Sequence, residues 1–186
     1  MTKNWILTTV VDNLEERKDE LINLAHKLFM DITALPKEVR NDEKERTGIA
    51  VFIAPRLCDN FIRFKIGTSS DRAIWYAQRK AKSLEKGDFL ITRDFENPEH
   101  AIWAGGITTD GWVDETKNET NPERLWLYIG VSGLKAEEDE VVAIILAAAV
   151  LDVNSKKMVD HMIYGEISEN IRTKGHYLYE VVKRYS

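Results

Sequence analysis

A single cysteine, Cys58, is all the thiol in this chain of 186 residues, so no disulfide can form within it. Long apolar runs are missing as well. The longest, Val141 to Leu151, falls well short of the ~20 residues that span a bilayer. The opening Met1-Thr2-Lys3-Asn4-Trp5 lacks the unbroken apolar core of a signal peptide. Positive charge is not in excess: 26 Lys and Arg face 31 Asp and Glu, for a formal net charge of -5. On that balance, attraction of the whole molecule to nucleic acid or an anionic membrane is not expected. A reducing cytoplasm is the expected location, with neither nucleic acid nor membrane as a partner.

Reaction signatures are equally scarce. The glycines at 105–106 and 130–133 have neither P-loop nor dinucleotide-fold spacing. Ser132 is not framed by Gly-x-Ser-x-Gly, and no pattern supplies it with a histidine, so it reads as a turn serine. His26, His100, His161 and His176 show no metal-ligand spacing. By default His100, close to Trp103 and Ala104, is the candidate metal ligand. Cys58 sits beside an expected turn with no basic partner and reads as an idle thiol.

What is present is a globular composition, 44% hydrophobic and 31% charged, which predicts one domain over residues 1–186. After a cap at Asp12 or Asn13, Leu14, Leu21, Ile22, Ala25, Leu28, Phe29 and Ile32 share one face at helical spacing, and Pro36 ends the run. The charged stretch from Lys37 to Arg46 reads as a solvated loop or frayed helix end. Residues 48–53 and 60–66 read as a strand pair, the second alternating apolar and charged positions. A helix over 71–86 follows, capped by Ser69 or Ser70, with Ala73, Ile74, Ala77, Ala81 and Leu84 as its buried stripe.

Phe89-Leu90-Ile91, 101–107 and 125–131 give further strands, the last apolar on both faces. Glu137-Glu138-Asp139-Glu140 then opens a helix to about Asp152, its acids complementing the positive end of the helix dipole. Beyond them this helix is apolar on nearly every side and should be sandwiched. Ser168 caps a terminal amphipathic helix facing inward through Ile171, Leu178, Val181, Val182 and Tyr185. Strand pairs interrupted by helices predict an α+β fold with a mostly antiparallel sheet.

Three blocks stand in a distinctive order. The first is Gly67-Thr68-Ser69-Ser70-Asp71 with Trp75 and Arg79-Lys80-Ala81, and the second is Gly105-Gly106. The third is Val131-Ser132-Gly133-Leu134 followed by Glu138-Asp139-Glu140. Together they resemble the GlcG/HbpS-like family, especially its branch called haem-degrading domain, over residues 12–152, which leaves 153–186 as a helical C-terminal extension. The resemblance implies a profilin-like fold, an antiparallel sheet of about five strands flanked by helices and assembled as a homo-oligomer. Some relatives bind haem. Where that branch has a histidine before the double glycine, this chain has Ala104; where it has Asp-His, this chain has Asp139-Glu140.

Trp75 and Arg79 lie one helical turn apart and opposite the buried stripe, so a cation–π pair is expected on an outer face. Such a pair serves as a partner surface or a pocket wall. Lys80 flanks the stripe within reach of Asp139 and of the strand end at 130–134, as an internal salt bridge or as an anion site. Gly105, Gly106, Ser132 and Gly133 can present backbone amides to a carboxylate or propionate, or simply allow tight packing. The expectation is a homo-oligomer that binds a small anionic ligand between helix 71–86 and these glycine segments, with haem as the cofactor the resemblance supplies. Haem degradation or another small-molecule transformation is one alternative; a scaffold without catalysis is the other.

Overall fold

The structure is a computed structural model that describes residues 14–55, 60–86, 92, 104–109, 127–161 and 167–186. Helix α1 (Lys18–Thr33) buries Leu21, Ala25, Leu28, Phe29 and Ile32, the stripe its spacing predicts. Past Pro36, one helical turn, α2 (Lys37–Arg40), ends at Asn41 in the left-handed conformation. Strand β1 (Gly48–Pro55) is buried along its whole length, while β2 (Ile62–Gly67) alternates buried and exposed residues. Ser70 caps α3 (Asp71–Ser83), its hydroxyl accepting from the Ala73 N–H at 3.2 Å, and the helix tightens into a 3-10 turn, Leu84–Lys86. Strands β3 (Gly106–Thr108) and β4 (Leu127–Ser132) lead into α4 (Ala136–Leu151). The chain then makes three short helices, α5 (Ser155–His161), α6 (Glu169–Arg172) and α7 (Tyr177–Arg184).

The strands form one sheet in the order β2-β1-β4-β3, with every neighbouring pair antiparallel. The expected α+β class is what the chain adopts: an antiparallel sheet flanked by helices. It shows four strands among the described residues rather than about five. The strand expected at Phe89-Leu90-Ile91 and the turn at Asp59 lie outside those residues.

Central position explains the composition of β1 and β4, since both faces are covered. On one face Ile49, Val51, Ile53, Ile129 and Val131 pack with α1 and α4. On the other, Ala50, Phe52, Ala54 and Tyr128 meet Ala77 and Ala81 of α3 and Leu84 of the 3-10 turn. Small residues on that second face bring α3 unusually near the sheet: a Cβ on Gly130 would strike the Ala77 carbonyl oxygen.

Helix α4 is buried almost from end to end between the sheet, α1 and the C-terminal helices, as its all-round apolarity predicts. Met158, Val159, Ile167, Ile171, Leu178, Val181 and Val182 belong to the same apolar cluster as α4 and α1. Each large side chain buried this way is worth ~1.5–3 kcal/mol. Residues 153–186 therefore help to close the core.

Two expectations change. The charged stretch from Lys37 to Arg46 is not wholly solvated, because Arg40 and Asp42 are only 3% and 6% exposed. The single terminal helix is two helices, interrupted where Gly175 takes φ +88°. Glycine adopts that left-handed region without a Cβ clash. Among the described residues no helix is long and apolar enough to cross a membrane.

Candidate functional site

The acidic head of α4 is where the elements meet. Glu138 is fully buried and holds Arg40 by two parallel hydrogen bonds, Nε to Oε1 at 2.8 Å and Nη2 to Oε2 at 2.7 Å. A planar guanidinium matched to a carboxylate in this way fixes geometry as well as charge. Those bonds hold the Arg40 pKa above its ordinary value against burial. The Tyr177 hydroxyl donates to Glu138 Oε1 at 3.1 Å, and the Lys135 N–H donates to Oε2 at 3.1 Å, which satisfies one of the free amides at the helix start. Burial, then the Glu138 charge, pushes the Tyr177 phenol well above its usual range. Asp42 links Arg40 to Arg46, whose Nη1 reaches the Gly133 carbonyl at 3.3 Å.

Of the remaining acids, Glu137 and Glu140 hold the start of α6, and Asp139 holds α3. Asn170 donates to both Glu137 oxygens at 3.2 and 3.0 Å, and the Ser168 N–H donates to Glu140 Oε1 at 3.1 Å. Asp139 takes the Leu134 N–H on Oδ1 at 3.0 Å and the Lys80 ammonium on Oδ2 at 3.1 Å. Lys80, itself 3% exposed, also donates to the Val131 carbonyl at 2.7 Å. Lys80, expected to approach Asp139 or the strand end at 130–134, contacts both.

Around that ammonium the glycines close in. Gly105 sits at φ +109°, and a Cβ there would lie 2.6 Å from Asp139 Cβ and 2.9 Å from Lys80 Nζ. On Gly106 it would lie 2.7 Å from the Thr92 methyl, and the Gly106 N–H donates to Thr92 Oγ1 at 2.9 Å. Gly133, at φ +141°, faces the Gly48 carbonyl across the sheet, and half-buried Ser132 pairs with Ala50 at the end of β4. Gly105 and Gly106 thus pack against Lys80 of a satisfied ion pair, whereas Ser132 and Gly133 meet β1.

Trp75 and Arg79 lie elsewhere, on the far side of α3. Trp75 is 46% exposed, and the Arg79 guanidinium stands 4.9 Å from the centre of its ring. Tyr76 meets the Trp75 ring edge-on at 5.1 Å, and Arg72 bonds the Tyr76 hydroxyl at 2.7 Å. The result is an aromatic surface studded with guanidinium groups, suited to a flat anion.

His100, Cys58, Trp5, Trp103, Trp112 and Trp126 lie outside the described residues. His26 is exposed on α1, and His176 caps α7 by accepting the Leu178 N–H on Nδ1 at 3.3 Å. Among the described residues no cluster of His, Cys, Asp and Glu could hold a metal ion. Ala104 is fully buried and Glu140 is committed to Ser168, so a haem with an axial ligand from either position does not fit. Sequence reasoning missed Arg40, Asp42, Tyr177 and Asn170. Their only advance signal was the density of acids at the head of α4, which needs partners once buried.

No family model matches this chain, and no curated protein does. Solved structures do show likeness. The crystal structure of Ybr137w protein aligns at 15% identity and a TM-score of 0.49, over 76% of this chain and 79% of that one. The crystal structure of HbpS aligns at 19% identity and a TM-score of 0.35, over 71% of this chain and 87% of that one. At these values neither likeness carries a functional inference.

Proposed function

We propose that the chain is a cytoplasmic, homo-oligomeric binding protein for a small, flat, anionic ligand held on the outer face of α3. The observation that carries this reading is Trp75, half-exposed with the Arg79 guanidinium against its ring. An indole beside guanidinium groups offers stacking to an aromatic plane and charge-assisted hydrogen bonds to carboxylates. Lys80, Gly105 and Gly106 serve the site from behind, by fixing α3 against the sheet.

A tetrapyrrole is the ligand class that the GlcG/HbpS-like resemblance supplies. With no iron ligand offered at Ala104 or Glu140, the ring and its propionates supply the binding. Metal-free protoporphyrin IX should therefore bind about as well as hemin when each is titrated into the protein and followed at its Soret band. Saturable binding of hemin alone would point to iron ligation and overturn this reading. Adding a reductant to the hemin complex separates carrier from enzyme: a carrier keeps its Soret band, whereas haem degradation bleaches it.

A further inference from the structure

The C-terminal helices border a cavity of about 270 Å³ between α5, α6 and α7. Its floor is apolar, built from Val159, Ile171 and Val182, all buried. Among the described residues four cations, Lys156, Arg172, Lys174 and Lys183, line it with one carboxylate, Asp160. Asp160 neutralises Lys156 at 2.8 Å. Among the described residues Lys174 and Lys183 have no ion-pair partner. In a chain of net charge -5 this is a local reversal of sign, concentrated in a concave site.

We propose that this cavity binds a small phosphomonoester. The ammonium groups of Lys174 and Lys183 beside that apolar floor suit a dianionic phosphoryl group better than a single carboxylate. The apolar floor and the Tyr179 ring at its side would take the organic part of the ligand. The volume lies just below the ~300–1,000 Å³ of drug-sized pockets, so the ligand is fragment-sized and not a polymer. This site is separate from the outer face of α3 and stands whether or not that face binds a ligand.

Calorimetric titration of the full chain with phenyl phosphate, inorganic phosphate and benzoate at low ionic strength tests it. Phenyl phosphate should bind saturably, one per chain, and roughly tenfold more tightly than either fragment alone, a difference of about 1.4 kcal/mol. The double variant Lys174→Gln/Lys183→Gln should weaken it by at least about tenfold, while thermal melting without ligand stays as in the wild type. Both lysines are exposed, so the fold does not depend on them. Should the double variant melt early, Lys174→Gln alone carries the comparison. Benzoate binding as well as phenyl phosphate, absence of saturable heat, or wild-type affinity in the variants would each overturn the proposal.

Discussion

Lys80 commits its ammonium to the Val131 carbonyl and the Asp139 carboxylate in a space that water does not enter. Removing one partner of such a pair leaves the other charged and buried. Lys80→Met should therefore destabilise the fold by ~3–5 kcal/mol, read as a shifted denaturant midpoint. Lys80→Met/Asp139→Asn, which keeps an acceptor for the Leu134 N–H, should recover a large part of that loss. A double variant no more stable than the single one would contradict the pairing. Gly130→Ala, forced against the Ala77 carbonyl, should cost about 3 kcal/mol.

Acid sensitivity is also set by single residues. Burial pushes the Asp42 carboxyl up, but hydrogen bonds from Arg46 and the Lys44 N–H outweigh it and hold the pKa below the ordinary range. The Tyr185 hydroxyl, then Arg184, lowers Asp31 in the same direction against its own burial. A folded pKa below the unfolded value of ~3.9 adds stability that is present above about pH 4 and disappears as pH falls through the folded value. Denaturant midpoints measured from pH 7 to pH 3 should drop below about pH 4, and less steeply in Asp42→Asn. An unchanged slope in that variant would remove Asp42 from the account. Lys80, expected near Asp139 or the strand end at 130–134, contacts both, and the Trp75–Arg79 pair was legible in the sequence from helical spacing. The inward turn of Arg40 and Asp42 was not, because a run dense in charge has no apolar period to reveal which members point in.

Among the elements, α4 ties the rest together through its four acids: Glu138 holds Arg40 and Tyr177, Asp139 holds Lys80, and Glu137 and Glu140 both hold the start of α6. The sequence showed that this helix must be enclosed, since it is apolar all round, but not by what. Covering it are α5, α6 and α7, whose stripe of Ile171, Leu178, Val181 and Val182 was readable while the break at Gly175 was passed over. A glycine inside an amphipathic stripe was the available signal. Two consequences follow for the elements. Tyr177→Phe removes a hydrogen bond to a buried carboxylate and should cost ~1.5–3 kcal/mol in denaturant unfolding. A chain ending at Asn154 loses the Asn170, Ser168 and Tyr177 hydrogen bonds to Glu137, Glu140 and Glu138 and uncovers the apolar face of α4, so it should lose the cooperative thermal transition. Retention of a sharp transition by that truncated chain would show the tail to be an appendage.

For the whole molecule, the fold class was readable from the order of strand and helix patterns, and the sheet order from none of them. Strand order depends on long-range pairing that local pattern does not encode. The packed knot at Lys80 and the exposed face at Trp75 sit on opposite sides of α3, one holding the helix and the other presenting it. The homo-oligomer proposed here should appear as an integer multiple of 21.4 kDa in light scattering, and a stable monomer would count against it.

The most direct test of the central claim is a protoporphyrin IX titration of the wild type and Trp75→Ala, followed at the Soret band. The account predicts saturable binding in the wild type and roughly tenfold weaker binding in the variant, with its thermal midpoint unchanged. Equal affinity in the two proteins, or no saturable binding in either, would contradict it.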